Sequence, residues 1–239
     1  MEKVELISFS DDIGLARAAA GAWLDSIAEQ RGSGNPHCVA LSGGRIAKTF
    51  FSAVAVVENA GAGLWSSVQF FWSDERCVPP DDPDSNYRIA RELLVTPLKI
   101  SEGQTHRIRG EEPPEIAAAK ATSEICRVVP LNPDGQPVLD LIFLGMGEDG
   151  HVASLFPGEA GSLVADRTVY RAIKNSPKPP PNRVTLDYAA IAAARQVWVL
   201  VSGAGKSAAL RESLGSSGKT PLARVIQSRP HTRIFSDAY

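Results

Sequence analysis

Residues 140–158, DLIFLGMGEDGHVASLFPG, place an apolar run directly before a loop of glycines and titratable side chains. The apolar residues 141–144 do not alternate with polar ones, which is typical of a strand buried on both faces. Glu148, Asp149 and His151 follow among three glycines. Two interpretations stay open at this point: a tight turn with solvated polar residues, or a catalytic loop at the end of a sheet.

The order of strand, turn and helix occurs at further places along the chain. The other strand segments with their turns are HCVALSGG (37–44), SVQFFWSDERCVPP (67–80) and QVWVLVSGAGKSAALRESL (196–214). Helical character is found at residues 12–31, 47–60, 81–95 and 113–129. Continuous apolar strands separated by helices predict an α/β fold, with a doubly wound, mainly parallel sheet and helices on both faces. We expect a single domain over residues 1–239, since neither a long linker nor an internal repeat divides the chain.

The four turns share one position relative to the predicted strands. Each follows the carboxyl end of its strand, and in open α/β sheets ligands bind beyond those ends. Turns scattered at random would not favour that edge of the sheet. The pattern therefore predicts a composite site built from all four turns.

The composition limits the classes of partner that the chain can have. Its 239 residues carry a net charge of −2, so no overall electrostatic field favours nucleic acid or an anionic membrane. No apolar run approaches the roughly 20 residues that span a bilayer. The acidic N-terminal segment also lacks the apolar stretch of a secretory signal. Any bound anion must therefore be held by a local site.

The three cysteines indicate a reducing compartment. Cys38, Cys77 and Cys126 lie far apart without a CxxC pair, so neither a disulfide framework nor a zinc site is predicted. Cys38 begins an apolar strand and Cys126 lies in a helical pattern, and we expect both to be buried thiols. This use of cysteine is typical of the cytoplasm.

Two of the turns have features of an anion site. Gly43 and Gly44 stand between a strand and a helix, where the backbone approaches a ligand closely and free N–H groups attract anions. Ser42 adds a hydroxyl, and Arg45 adds a guanidinium that can bind phosphate oxygens. Lys206 begins a helix after a second glycine turn, where a cation opposes the helix dipole unless an anion is bound. A structural turn and a solvated lysine are the alternatives; together, the two turns favour a phosphorylated small molecule.

The other two turns carry acid, base and cationic groups. Asp74, Glu75 and Arg76 follow an apolar strand, and could form only a salt-bridged rim. At this edge, however, Arg76 can hold a substrate oxygen and Asp74 can orient a hydroxyl or a histidine. His151 can take a proton at neutral pH, and Asp149 or Glu148 can fix its tautomer. Because no serine or cysteine nucleophile has a strong local signature, a histidine that activates water is favoured.

At these residues the sequence resembles the 6-phosphogluconolactonases, which share one α/β superfamily with the glucosamine-6-phosphate isomerase/deaminases. The matching segments span most of the chain: 41–44, 72–94, 106–111, 140–158, 177–186 and 202–210. The resemblance implies hydrolysis of 6-phospho-D-glucono-1,5-lactone to 6-phosphogluconate, in the oxidative pentose phosphate pathway. It implies no metal and no organic cofactor.

The resemblance also implies roles for single residues. His151 matches the family's general base, Asp149 lies beside it, and Arg76 matches an arginine at the substrate. Contacts to phosphate or substrate are implied for Ser42, Gly43, Gly44, Lys206 and Arg183. One position departs from the family, because Arg45 stands where relatives commonly have serine or threonine. Either Arg45 grips the phosphate directly, or it turns to solvent and backbone N–H groups hold the phosphate.

Two other functions are weighed against lactone hydrolysis. The deaminase branch carries a glutamate just before the proline that follows its histidine motif. Here Phe156 precedes Pro157, and no acid occurs until Glu159. A sugar-phosphate sensor without turnover would keep the phosphate turns and could lose its base, but His151 and Arg76 are both present. The lactonase interpretation is therefore preferred, with a small sugar-phosphate lactone as the partner.

Overall fold

The apolar run at residues 141–144 forms an interior strand of a parallel sheet in a computed structural model of the protein. The structure describes residues 3–30, 32, 34–57, 63–158 and 168–239. The strands among these residues are β1 (Val4–Ser8), β2 (His37–Leu41), β3 (Val68–Trp72), β4 (Asp74–Arg76), β5 (Leu141–Gly145), β6 (Tyr170–Ile173), β7 (Arg183–Leu186), β8 (Gln196–Val201) and β9 (Thr232–Ser236). The α-helices are α1 (Asp12–Gln30), α2 (Arg45–Val57), α3 (Asn86–Ala90), α4 (Pro114–Val128), α5 (Tyr188–Ala193), α6 (Ser207–Leu214) and α7 (Pro221–Gln227).

Six strands form the main sheet, in the order β1-β9-β8-β5-β2-β3, and all neighbouring pairs are parallel. Every residue of β2 is buried, as are the first four residues of β5. This burial explains why neither strand alternates polar with apolar residues. The predicted α/β fold, with a mainly parallel sheet flanked by helices, is confirmed.

A second, antiparallel sheet of order β4-β7-β6 was not predicted from the sequence. The charged turn after β3 continues as β4, and the segment after the proline-rich loop forms β7. Arg76 and Arg183 are register partners in this pair. The sequence gives little sign of β4, because all three of its residues are charged. Two of them are nevertheless buried, and the third is half-buried.

Aromatic packing joins the helices to the main sheet. The ring centroid of Trp23 on α1 lies 5.1 Å from that of Phe143 on β5, and Phe50 on α2 lies 4.6 Å from the same ring. Buried aromatic pairs of this kind add about 0.5–1.5 kcal/mol each beyond the area that they bury. One layer of the core is thus centred on the strand that leads to His151.

The predicted helices are found with changes at their ends. Helix α2 ends at Val57, and residues 58–60 of the prediction lie outside the described residues. Within the segment 81–95, where Ser85 or Asp84 was expected to cap a helix, Ser85 is the cap: its hydroxyl accepts a hydrogen bond from the N–H of Arg88. Helix α3 begins at Asn86 and continues as a π-helical segment. No helix among the described residues is long and apolar enough to cross a membrane.

The cysteines are free thiols, as expected. Cys38 is buried, whereas Cys126 is only half-buried, because it lies at the edge of the apolar face of α4. Burial raises the pKa of Cys38 to about 12 and that of Cys77 to about 11. Neither thiol is activated as a nucleophile.

Candidate active site

The four turns singled out in the sequence meet at one edge of the main sheet. They follow β2, β3, β5 and β8, which are neighbours in the order β8-β5-β2-β3. Between them lies a cleft that is open to solvent. The predicted site residues that line this cleft are Ser42, Gly43, Gly44, Arg45, Asp74, Arg76, His151, Arg183 and Lys206. The tenth, Asp149, lies behind His151 and is bonded to it.

His151 and Asp149 form a hydrogen-bonded pair. The Nδ1 atom of His151 lies 2.5 Å from Oδ1 of Asp149. Because an ionised carboxylate only accepts, Nδ1 carries the hydrogen in the neutral ring and Nε2 keeps its lone pair. The arrangement leaves Nε2 as the proton acceptor.

The protonation state of His151 suits a base. Burial lowers the pKa of the His151 imidazole below its ordinary value, Lys178 acts in the same direction, and Asp149 opposes both. Burial acts to raise the pKa of the Asp149 carboxyl, but the hydrogen bonds and charge of His151, together with the charge of Lys178, hold that pKa below its usual range. At neutral pH the ring is therefore mostly neutral beside an ionised carboxylate.

Gly147 explains part of the glycine-rich loop. A Cβ atom at this position would lie 2.0 Å from Nδ1 of His151 and 2.6 Å from Oδ1 of Asp149. No side chain fits in that space, so the imidazole can fold back over the loop only where residue 147 is glycine. The loop is thus shaped around the histidine and is more than a solvated turn.

The anion end of the cleft combines two cations with the start of a helix. Gly43 and Gly44 immediately precede α2, and Arg45 is its first residue. Burial lowers the pKa of Lys206, and the charge of Arg45 lowers it further. The two positive charges repel each other, and a bound dianion would offset this repulsion.

Ser42 has a different environment from the one expected. Its hydroxyl donates to the backbone carbonyl of Phe143 at 2.8 Å, so this hydrogen is already engaged. The residue ties the turn after β2 to β5. Its predicted contact with phosphate stays a prediction.

Asp74 and Arg183 are held by a buried polar network. Asp74 accepts from the Ser154 hydroxyl at 2.6 Å and from the Asn86 amide at 3.2 Å. Arg183, 3% exposed, donates to the same hydroxyl and to the carbonyls of Lys178 and Pro179. Asp74 thus accepts from a hydroxyl of the protein itself, and its predicted contact with substrate stays a prediction. The histidine is bonded to Asp149 and not to Asp74.

Two arginines stand opposite each other at the centre of the cleft. Arg76 donates from Nη1 to the carbonyl of Asp84, and its buried Nε atom has no hydrogen-bond partner among the described residues. Burial lowers the pKa of Arg183, and the charge of Arg76 contributes to that shift. Like charges on paired strands are destabilising in the absence of an anion. The pair is suited to a substrate oxygen that becomes negative.

Three residues of the site were not identified from the sequence. Lys178, in the proline-rich loop, lies 3.3 Å from Nδ1 of His151 and 3.4 Å from Asp149. Asn86 and Ser154 support Asp74. All three residues fall within matched family segments, which could have signalled them. Their contacts could not be read from the sequence, because they join distant parts of the chain. No group of three or more His, Cys, Asp or Glu residues within the described ranges is arranged to hold a metal ion.

The chain matches the family model of glucosamine-6-phosphate isomerases/6-phosphogluconolactonases over residues 10–234. It is 34% identical over 221 residues to a 6-phosphogluconolactonase of Streptomyces coelicolor, covering 90% of this chain and 84% of the relative. It is 31% identical over 245 residues to a chloroplastic 6-phosphogluconolactonase of Arabidopsis thaliana, covering 99% and 73%.

Solved structures show the same fold. The crystal structure of devB protein superimposes with a TM-score of 0.86 at 31% identity, covering 98% of both chains. The 6-phosphogluconolactonase of Trypanosoma brucei superimposes with a TM-score of 0.83 at 28% identity, covering 97% of this chain and 95% of that one. Sequence and fold thus agree over nearly the whole length.

Proposed function

Because the chain belongs to the family of glucosamine-6-phosphate isomerases and 6-phosphogluconolactonases, we propose that it hydrolyses 6-phospho-D-glucono-1,5-lactone to 6-phosphogluconate. The observation that carries this proposal is the cleft, which brings the His151–Asp149 pair and the Arg45–Lys206 pair to one sheet edge. A base at one end and a dianion site at the other fit a phosphorylated sugar ester.

The proposed mechanism uses water as the nucleophile. Nε2 of His151 takes a proton as the water oxygen attacks C1, and Asp149 stabilises the imidazolium that forms. Arg76 donates to the oxyanion that develops on the C1 oxygen. The bond between C1 and the ring oxygen then breaks, and the imidazolium returns its proton to that oxygen. His151 is neutral again when the carboxylic acid product forms.

The phosphate group is proposed to lie at the start of α2. Gly43 and Gly44 line the cleft directly before α2, and the N–H groups and dipole at the start of a helix favour negative charge. Lys206 and Arg45 supply the two charges. In this arrangement Arg45 replaces the hydroxyl donor that relatives commonly use.

Removal of either cation is expected to weaken substrate binding. Lys206→Met and Arg45→Met should each raise KM by about 10- to 100-fold with a smaller change in kcat, because a hydrogen bond to a charged group contributes about 1.5–3 kcal/mol. Initial rates over a range of lactone concentrations measure this. Lys48→Met is the matched control, since Lys48 is exposed on α2 and does not line the cleft. An unchanged KM in Arg45→Met would show that the guanidinium points to solvent.

The direct test of the function is a lactonase assay corrected for spontaneous hydrolysis. We expect saturable hydrolysis of the phospholactone and no ammonia from glucosamine 6-phosphate. Phe156, 3% exposed, packs against His151 at 4.8 Å between ring centroids, at the position where the deaminase branch carries its glutamate. Glu159 lies outside the described residues. Ammonia release would favour the deaminase, and binding without turnover would favour a sensor.

We also propose a cellular location and a domain organisation. A cytoplasmic location is supported by the free cysteines. A single domain over residues 1–239 is supported by the family match from residue 10 to 234.

A further inference from the structure

Glu75 is a buried carboxylate that the mechanism above does not use. It is 2% exposed, and no salt bridge to it is present among the described residues. Oε1 accepts from the backbone N–H groups of Arg76 at 2.7 Å and Asn86 at 2.8 Å. Oε2 accepts from the Ser85 hydroxyl at 3.0 Å and the N–H of Tyr87 at 2.8 Å. The charge is therefore balanced by four hydrogen-bond donors.

These four bonds connect parts of the cleft. Arg76 lies on β4, and Asn86 is the first residue of α3. The amide of Asn86 donates to the backbone carbonyl of Asp74 at 2.9 Å. Its Oδ1 packs against Gly43 in the turn of residues 42–44 between β2 and α2, here called the anion turn. Movement of the Glu75 carboxylate would thus shift the positions of Arg76, Asp74 and the anion turn together.

The bonding pattern requires the ionised form of the carboxylate. Three of its four partners are backbone N–H groups, which can only donate. A proton on Oε1 would face two N–H donors, and a proton on Oε2 could be accepted only by the Ser85 hydroxyl, which would then no longer donate to Glu75. The ionised form therefore holds the start of α3 with all four bonds, and the protonated form holds it with fewer.

Ionisation of Glu75 takes place in the neutral range. Burial raises the pKa of Glu75 to about 7, and the charge of Asp74 adds to the rise. Hydrogen bonds from the backbone N–H groups of Tyr87, Asn86 and Arg76 act in the opposite direction but do not cancel it. Among the described residues, Arg107 and Cys77 also interact electrostatically with Glu75. Both forms of Glu75 are therefore populated near pH 7.

We propose that Glu75 is a positioning residue of the hydrolysis, whose carboxylate holds Arg76 and Asn86 in place at the cleft only while it is ionised. This rests on the proposed function. Activity would depend on two protonation events on the acid side of the pH profile. One belongs to His151, which must be neutral to act as a base, and the other to Glu75.

The pH dependence of kcat/KM tests the proposal. In the wild-type protein, log kcat/KM should fall as pH decreases through about 7. Below pH 6.5 the decline should become steeper, and its slope against pH should approach two. Glu75→Gln should lose the step near pH 7 and keep the His151 limb, and its kcat at pH 8 should fall about tenfold because Arg76 is misplaced. Glu92→Gln is the matched control, since Glu92 lies exposed on the following π-helical segment and pairs with Arg88. Its profile should equal that of the wild type.

A second variant keeps the test decisive if Glu75→Gln does not fold. Ser85→Ala removes one donor from the carboxylate and leaves Glu75 in place, so the step near pH 7 should move to higher pH. A single protonation step in the wild type, or an unchanged step in Ser85→Ala, would overturn the proposal. A wild-type rate and profile in Glu75→Gln would do the same. None of these outcomes affects the proposed reaction, which depends on turnover of the wild-type protein and on His151.

Stability gives a readout that is independent of turnover. The pKa of Glu75 is raised from 4.5 to about 7 on folding. Its contribution to stability is thus fully present below pH 4.5 and is lost as pH rises through about 7. The unfolding free energy of Glu75→Gln, relative to wild type, should increase between pH 5 and pH 8. A constant difference would show that Glu75 is already ionised at pH 5, contrary to the proposal.

Discussion

His151→Ala is expected to lower kcat by about 10²- to 10⁴-fold, the usual share of a general base in rate. The remaining cleft would still bind the lactone, because Lys206, Arg45 and Arg76 are unchanged, so KM should move much less. Water would then attack C1 without a proton acceptor, and the rate should approach spontaneous hydrolysis. Turnover at saturating lactone, corrected for the uncatalysed reaction, is the measurement.

His231→Ala is the matched control for that experiment. The side chain of His231 is 52% exposed and lies 3.9 Å from Glu5, away from the cleft. It should leave kcat unchanged. Asp149→Asn should also lower kcat, because the amide can donate to Nδ1 and favours the wrong tautomer. If His151→Ala kept more than a tenth of the wild-type rate above background, another group would have to be the base.

Gly43→Ala is expected to have the second largest effect, through packing. A Cβ atom on residue 43 would lie 1.8 Å from Oδ1 and 2.4 Å from Cγ of Asn86. Asn86 cannot easily yield, because its amide is bonded to Asp74. The anion turn must therefore shift, and a displacement of about 1 Å can cost about 10² in kcat/KM. Overpacking should also lower the free energy of unfolding by about 1–3 kcal/mol.

A double-mutant cycle identifies the contact responsible. Asn86→Ala removes the atoms that a Cβ on residue 43 would meet, so the double variant should be more stable than the sum of the single changes predicts. Gly103→Ala is the control, because nothing lies within 4 Å of a Cβ atom there. Additive effects would show that strain in the turn itself, and not Asn86, disfavours alanine.

The sequence was sufficient to predict four of the six strands of the main sheet, β2, β3, β5 and β8, and the edge at which their turns meet. Strands β1 and β9 were not predicted. Buried parallel strands leave long apolar runs, and a turn after such a run must reach the carboxyl edge of the sheet. This is why His151 and Lys206, which are far apart in the chain, could be placed at one cleft. The family resemblance then supplied the reaction, which spacing alone left open.

The contacts that hold the site residues in place could not be predicted in the same way. Strand β4 is formed by three polar residues whose burial depends on β7, and no local pattern signals that pairing. The role of Gly43 depends on Asn86, which approaches it only in the folded chain. The four bonds to Glu75 likewise appear only when β4 and α3 are in contact, so the sequence indicated no more than a charged rim.

The pairing of β1 with β9 has a consequence for the newly synthesised chain. The two strands join residues near opposite ends of the described sequence, with Val4 beside Thr232, and β9 separates β1 from β8. On the ribosome, β1 emerges long before β9, its neighbour in the described sheet, and the pair can form only after β9 has left the exit tunnel. Its open N–H and C=O groups then resemble a free sheet edge, the feature that promotes association between nascent chains. Strand β1 is thus made well before the strand that protects it.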